Sequence, residues 1–128
     1  MDQRLKELLS SGKHFAALST LGEDGYAHTT VVWVDITGDC LRYNTEVHRV
    51  QFKNVERDPR VTVAIWNSDN PYNYVEVKGK VVNTIKGEEA KKHIDSLSNH
   101  YTGMDYAMPV QSERVIVEVQ AEKIRWQG

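Results

Sequence analysis

One cysteine, Cys40, stands in a chain of 128 residues. It cannot form an internal disulfide, so the chain suits a reducing, cytoplasmic compartment. Beside Gly38-Asp39, at the start of an expected strand, it reads as a packing residue rather than a nucleophile. Long apolar runs are missing as well. None approaches the ~20 residues of a membrane span, and the charged start Met1-Asp2-Gln3-Arg4-Leu5-Lys6-Glu7 lacks the apolar core of a secretion signal. Neither sign of charge dominates: 16 Lys and Arg face 18 Asp and Glu, for a net charge of −2. That balance gives no global pull toward nucleic acid or an anionic membrane, so any anion site has to be local.

The usual catalytic and metal signatures are absent too. His14, His28, His48, His93 and His100 show no zinc spacing, and one cysteine adds little, which argues against a metal site. No nucleophile elbow and no glycine-rich phosphate loop follows a strand. His93 reads as a half-exposed surface residue, and Trp33, Trp66 and Trp126 as core or interface residues. Tyr72-Asn73-Tyr74 is too sparse an aromatic run for a single-stranded nucleic-acid platform. There is no internal repeat, low-complexity segment or linker.

What is present is mostly strand pattern. Residues 2–11 place Leu5, Leu8 and Leu9 at helical spacing, with Gly12 as a closing residue. The segment 14–21 reads as a buried strand, and Gly22-Glu23-Asp24-Gly25 as a hairpin turn. Residues 26–36, rich in β-branched side chains, predict one strand, and Thr37-Gly38-Asp39 turns the chain into a strand over 40–44. Residues 60–66, 74–85 and 115–121 alternate as further strands. Gly79 in mid-strand marks a bulge or a close approach of another backbone or of a ligand. Residues 87–101 carry the apolar stripe Ala90, Ile94, Leu97 and Tyr101 of a helix. Six strands on short turns, with helical insertions, predict a mainly β (α+β) antiparallel barrel formed by residues 1–128 as one domain.

The stretch from Leu41 to Pro59 organises this pattern. It opens as a strand and becomes a short helix, with Thr45 as N-cap, Glu46 at the positive helix end and Asp58-Pro59 as the stop. Arg49, Lys53 and Arg57 share one helical face. Spaced four apart, they repel by a few tenths of a kcal/mol per pair. A bound anion relieves that repulsion, and a strand-to-helix corner supplies free N–H groups for it. A merely solvated basic face is the competing reading.

Several runs resemble the pyridoxamine 5′-phosphate oxidase-like split-barrel family. They are Thr30-Val31-Val32-Trp33-Val34-Asp35, Gly38-Asp39-Cys40-Leu41-Arg42-Tyr43-Asn44-Thr45, and Arg49, Asn54 and Arg57-Asp58-Pro59-Arg60-Val61. Two more, from Asn70 to Lys80 and from Tyr101 to Tyr106, are similar to the family's branch of small deazaflavin-dependent oxidoreductases. The resemblance implies a homodimer of split barrels that binds coenzyme F420, or alternatively flavin mononucleotide (FMN), at the subunit interface. It implies that Thr30, Val31, Val32 and Trp33 flank the cofactor ring and that Asn44, Thr45 and Arg49 hold its phosphate, with Gln51, Lys53 and Asn54 beside them. Gln51 stands where many members carry a lysine, and Lys53 is the compensating cation. The implied activity is an oxidoreductase acting on a small organic molecule. The cofactor then carries the hydride and no protein nucleophile is needed; a non-catalytic cofactor carrier is the alternative. Catalytic residues are not specified, and the substrate pocket is expected between loops 67–73 and 102–110.

Overall fold

The computed structural model describes residues 1–127. In chain order they form α1 (Gln3–Ser11), β1 (Ala16–Leu21), β2 (Ala27–Val32), β3 (Asp35–Thr37), β4 (Cys40–Glu46), α2 (Val50–Arg57), β5 (Arg60–Asn67), β6 (Asn70–Lys86), α3 (Glu88–Thr102) and β7 (Arg114–Gln127). The strands make one antiparallel sheet in the order β2-β1-β5-β6-β7-β4-β3. There are seven, not the expected six, because the single strand foreseen over 26–36 is broken at Trp33-Val34. Its halves pair at opposite ends of the sheet.

That break sets the shape. Across seven strands spaced ~4.8 Å apart, a flat sheet would hold its edges roughly 29 Å from each other. The three steps from Val32 at the end of β2 through Trp33 and Val34 to Asp35 at the start of β3 reach only about 11 Å. The sheet therefore curls until its edges face each other, a barrel with one unpaired seam. Inside it pack Leu18, Leu41, Tyr43, Val63, Ile65, Val75, Val77, Val115, Val117 and Val119, all nearly inaccessible to water.

Local chemistry explains the turns. Gly25 and Gly38 adopt φ of +84° and +54° in the β1–β2 and β3–β4 hairpins, a region open to glycine at little cost. Asp2 caps α1 by accepting the Leu5 N–H at 3.0 Å. Gly12 ends that helix with extended backbone, so no left-handed turn is involved. At Gly79 the register of β6 against β7 shifts, and a Cβ there would lie 2.3 Å from Gln120 O. This is the close approach that the mid-strand glycine foretold.

The strand-to-helix corner differs from expectation. Thr45 and Glu46 continue β4, opposite Val115 and Arg114 of β7, and α2 begins only at Val50. Arg49 is its N-cap residue and makes no side-chain cap bond, so Thr45 is no cap. The helix stops at Arg57 with Asp58 as C-cap, where the following proline requires it. Helix α3 buries Ala90, Ile94, Leu97 and Tyr101 as its stripe predicts, and buries His93 with them, which corrects the surface reading of that residue.

Candidate functional site

At the seam the chain leaves a cleft of about 240 Å³. Val31 and Val32 from β2, Trp33 at the break, Asn44 from β4, Arg49 and Gln51 at the start of α2, and Arg114 at the start of β7 line it. Phe15, Ile94, Leu97 and Tyr106 complete its apolar side. The aromatic wall is braced internally: Trp33 stacks on Tyr101 at 5.4 Å and 8°, and meets Tyr106 edge-on at 6.4 Å. Tyr101 in turn donates its hydroxyl hydrogen to His14 O at 2.7 Å, which fixes α3 across the seam.

The polar wall is held by a chain of buried groups. Asn44 Nδ2 donates to Ala90 O at 2.8 Å and to His93 Nδ1 at 3.1 Å. His93 Nε2 faces both oxygens of Asp35 at 3.1 Å, and Arg42 clamps the same carboxylate at 3.0 and 2.8 Å. Burial pushes the Asp35 carboxyl up, yet hydrogen bonds from His93 and Arg42 bring it below its ordinary value, so it is ionised at neutral pH. His93 thus carries its proton on the nitrogen facing Asp35 and accepts from Asn44 on the other.

Glu46 is a second fixed charge beneath the cleft. Almost fully buried, it accepts the N–H groups of Gln111 and Ser112 at 2.7 and 2.8 Å and pairs with Arg49 at 3.2 Å. Its burial raises the carboxyl pKa, but the Ser112 and Gln111 N–H groups and the nearby Arg114 and Arg49 lower it overall. Arg49 is therefore partly neutralised. Arg114 is 6% exposed and lies with its guanidinium 4.6 Å from the Tyr106 ring centre. Its Nε and Nη1 have no hydrogen-bond partner, and neither do Asn44 Oδ1 and Gln51 Oε1.

The structure brings together most of the residues named from sequence. Val31, Val32, Trp33, Asn44, Arg49 and Gln51 share the cleft, and Thr30 joins it by accepting from Gln51 Nε2 at 3.3 Å. Thr45 is fully buried with its hydroxyl unpartnered and does not line the cleft. Lys53 and Asn54 border a different depression with Gly22, Glu23 and Arg57. There Asn54 donates to Thr20 Oγ1 at 3.1 Å, so its role is to tie α2 to β1. Of the loops expected around a substrate, only 102–110 contributes, through Tyr106; residues 70–73 are already strand β6. Arg114 and His93 were missed. His93 carried a signal, since it sits three residues after Ala90 on the apolar stripe, while Arg114 at a strand start carried none.

A larger hollow of about 570 Å³ lies between α1, β3 and α3, lined among others by Lys6, Val34, Asp35 and His100. None of the unpartnered buried polar atoms among the described residues belongs to it. The smaller cleft is the better-built site. Among the described residues no group of three His, Cys, Asp or Glu side chains is placed to hold a metal. No helix among them is long and apolar enough to cross a membrane.

An antiparallel barrel open along one seam, with a cleft there walled by aromatic rings and buried polar groups, is a split β-barrel of the class associated with flavin and deazaflavin oxidoreductases. The profile of the family described as pyridoxamine 5′-phosphate oxidase matches residues 1–128, and the chain belongs to that family. A solved F420 reductase is 25% identical with a TM-score of 0.80, over 93% of this chain and 94% of its own. A conserved hypothetical protein from Mycobacterium tuberculosis shares 23% identity and a TM-score of 0.73, over 99% and 84% of the two chains. General Stress Protein 26 from Bacillus anthracis shares 19% and 0.70, over 98% and 95%. The last two likenesses concern the fold alone. No curated protein matches the chain.

Proposed function

We propose that residues 1–128 form one cofactor-binding domain that works as a homodimeric oxidoreductase, holding coenzyme F420 in the seam cleft and reducing or oxidising a small organic molecule there. The observation that carries this reading is the cleft wall. Three side chains that are at least nine-tenths buried, Asn44, Gln51 and Arg114, keep polar atoms without partners beside an aromatic surface. Such atoms are costly in a free-standing barrel and are stabilised once a polar, flat ligand meets them. A deazaflavin supplies the hydride when bound, so the protein's share is to bind, orient and exclude water. Trp33 and Val32 would lie against the ring, and Arg49 would face an anionic group of the cofactor. The likeness to an F420 reductase supports the same choice.

Charge distinguishes F420 from FMN. Arg49 is shared with Glu46, and the neutral Gln51 sits beside it, so this end of α2 offers little to a concentrated phosphate dianion. The phosphodiester and acidic tail of F420 spread their charge, which suits scattered cations better. The partner subunit is needed for shelter. Val31 lines the cleft yet is 67% exposed, and Val50 at the head of α2 is 55% exposed.

Titrating the apo protein with F420 and with FMN, followed by absorbance, tests the reading. Tighter binding of F420 supports it; tighter binding of FMN replaces the cofactor. Binding without turnover of any hydride acceptor would make the chain a carrier. Sedimentation at micromolar concentration should give about twice the 14.7 kDa chain mass. A monomer that still binds F420 would remove the interface from the site.

A further inference from the structure

The polar atoms left over in the cleft wall are of two kinds, and which atoms are already spent decides what they can recognise. Asn44 uses Nδ2 on Ala90 O and on His93 Nδ1. A backbone carbonyl can only accept, so the amide cannot be turned round, and Oδ1 stays an acceptor. Arg114 can only donate, and its Nε and Nη1, on different edges of the guanidinium, are both without partners. Gln51 is adaptable, because its other partner, the Thr30 hydroxyl, can accept or donate. The wall therefore offers a fixed acceptor, a fixed donor and one amide able to supply either.

A phosphate or carboxylate would satisfy Arg114 but would bring negative oxygens near the Asn44 carbonyl oxygen. A neutral edge carrying N–H beside C=O satisfies both. We propose that Asn44, Arg114 and Gln51 read the imide edge of a ring cofactor, the N–H flanked by two carbonyls in the pyrimidinedione of flavins and deazaflavins. Asn44 accepts the N–H, Arg114 donates to one carbonyl, and Gln51 turns its amide to donate to the other. His93 is a positioning residue. Held by Asp35, which Arg42 clamps in turn, it keeps Asn44 from swinging away. This rests on the cofactor reading above and moves Asn44 from the phosphate to the ring.

The test compares each parent cofactor, F420 and FMN, with its N3-methyl derivative, which loses the donor and keeps the phosphate and tail. For the cofactor that binds, methylation should weaken binding at least tenfold, about 1.4 kcal/mol. His93→Leu should cut that discrimination toward unity, and His93→Gln, which can still hold Asn44, should preserve it. Equal binding of parent and methylated cofactor to the unaltered protein overturns the edge reading and leaves the cofactor assignment intact. Failure of both parent cofactors to bind overturns the two together. If His93→Leu does not fold, the wild-type comparison still decides.

Discussion

Arg49 and Arg57 sit at the two ends of α2, one before its first residue and one at its last, and their removal should have opposite consequences. Eight residues of helical rise separate them by about 12 Å. Arg49 lines the seam cleft, whereas Arg57 borders the depression around Gly22. Arg57 is occupied with the fold: its guanidinium donates to Leu21 O and, at 3.1 Å, to Asn54 Oδ1, with Glu23 at 3.7 Å. Arg57→Ala removes the tie between α2 and the β1–β2 hairpin. Because the side chain is 37% exposed, water replaces part of what is lost, and about 1 kcal/mol of stability should go, lowering Tm by roughly 4 °C. Cofactor affinity should stay within about twofold. Arg49→Ala breaks only the partly exposed pair with Glu46, worth well under 1 kcal/mol. Glu46 keeps its two backbone N–H donors. What Arg49→Ala removes is a cation at the cleft. A charge-assisted bond to an anionic oxygen is worth roughly 1.5–3 kcal/mol. With the side chain 39% exposed and shared with Glu46, the lower end applies, about a tenfold rise in Kd. Calorimetric titration and thermal unfolding on the same preparations separate the two effects. If both variants lose affinity equally, or Arg57→Ala loses more, the cleft is not the anion site and α2 carries only a solvated basic face.

Gly79→Ala forces a Cβ to within 2.3 Å of Gln120 O and 2.9 Å of Val119 Cγ1. Neither β6 nor β7 can yield without disturbing the ladder, so denaturant unfolding should show a loss of about 2 kcal/mol or more; an unchanged midpoint would contradict the register. Glu46→Gln addresses acid stability. The folded protein holds this carboxyl below its ordinary 4.5, so its contribution is complete above that value and fades as pH falls through the lower folded one. The wild type should therefore be the more stable protein at neutral pH, and its advantage over Glu46→Gln should shrink on acidification; an advantage that grows in acid would reverse the assignment.

How much of this was legible in the sequence depended on how local the cause was. The α3 stripe and the Gly22–Gly25 and Gly38 turns follow from spacing and φ requirements within a few residues, and they were readable. Gly79 was readable because an absent side chain in a valine-rich strand has few explanations. The break at Trp33-Val34 was not, since β-branched residues run through it and nothing local says that pairing partners change. Thr45 misled for a related reason. It has the chemistry of a cap, but pairing opposite Val115 in β7, a partner seventy positions away, holds it in the strand. Arg114 is the extreme case. An arginine opening an alternating strand looks solvated, and only Tyr106 from an irregular loop, together with the curvature of the barrel, buries it.

The position of the cleft follows from the same break. Within a sheet the backbone is satisfied by its neighbours, and ligands meet mainly side chains. At the seam, β2 and β3 are covalently continuous yet not paired with each other, so their facing edges have no ladder between them. Side chains must fill that gap. On one side α3 does so with Tyr101, whose hydroxyl meets His14 O at 2.7 Å and Val34 O at 3.4 Å. On the other, the filling is incomplete, and there Asn44, Gln51 and Arg114 stand with atoms unspent. A barrel selected for stability alone would close this side with apolar residues, since replacing a half-satisfied polar set by well-packed ones costs little or gains. On the cofactor reading proposed above, a bound ring completes this buried guanidinium, and the aromatic wall beside it gives that ring a flat face to lie against.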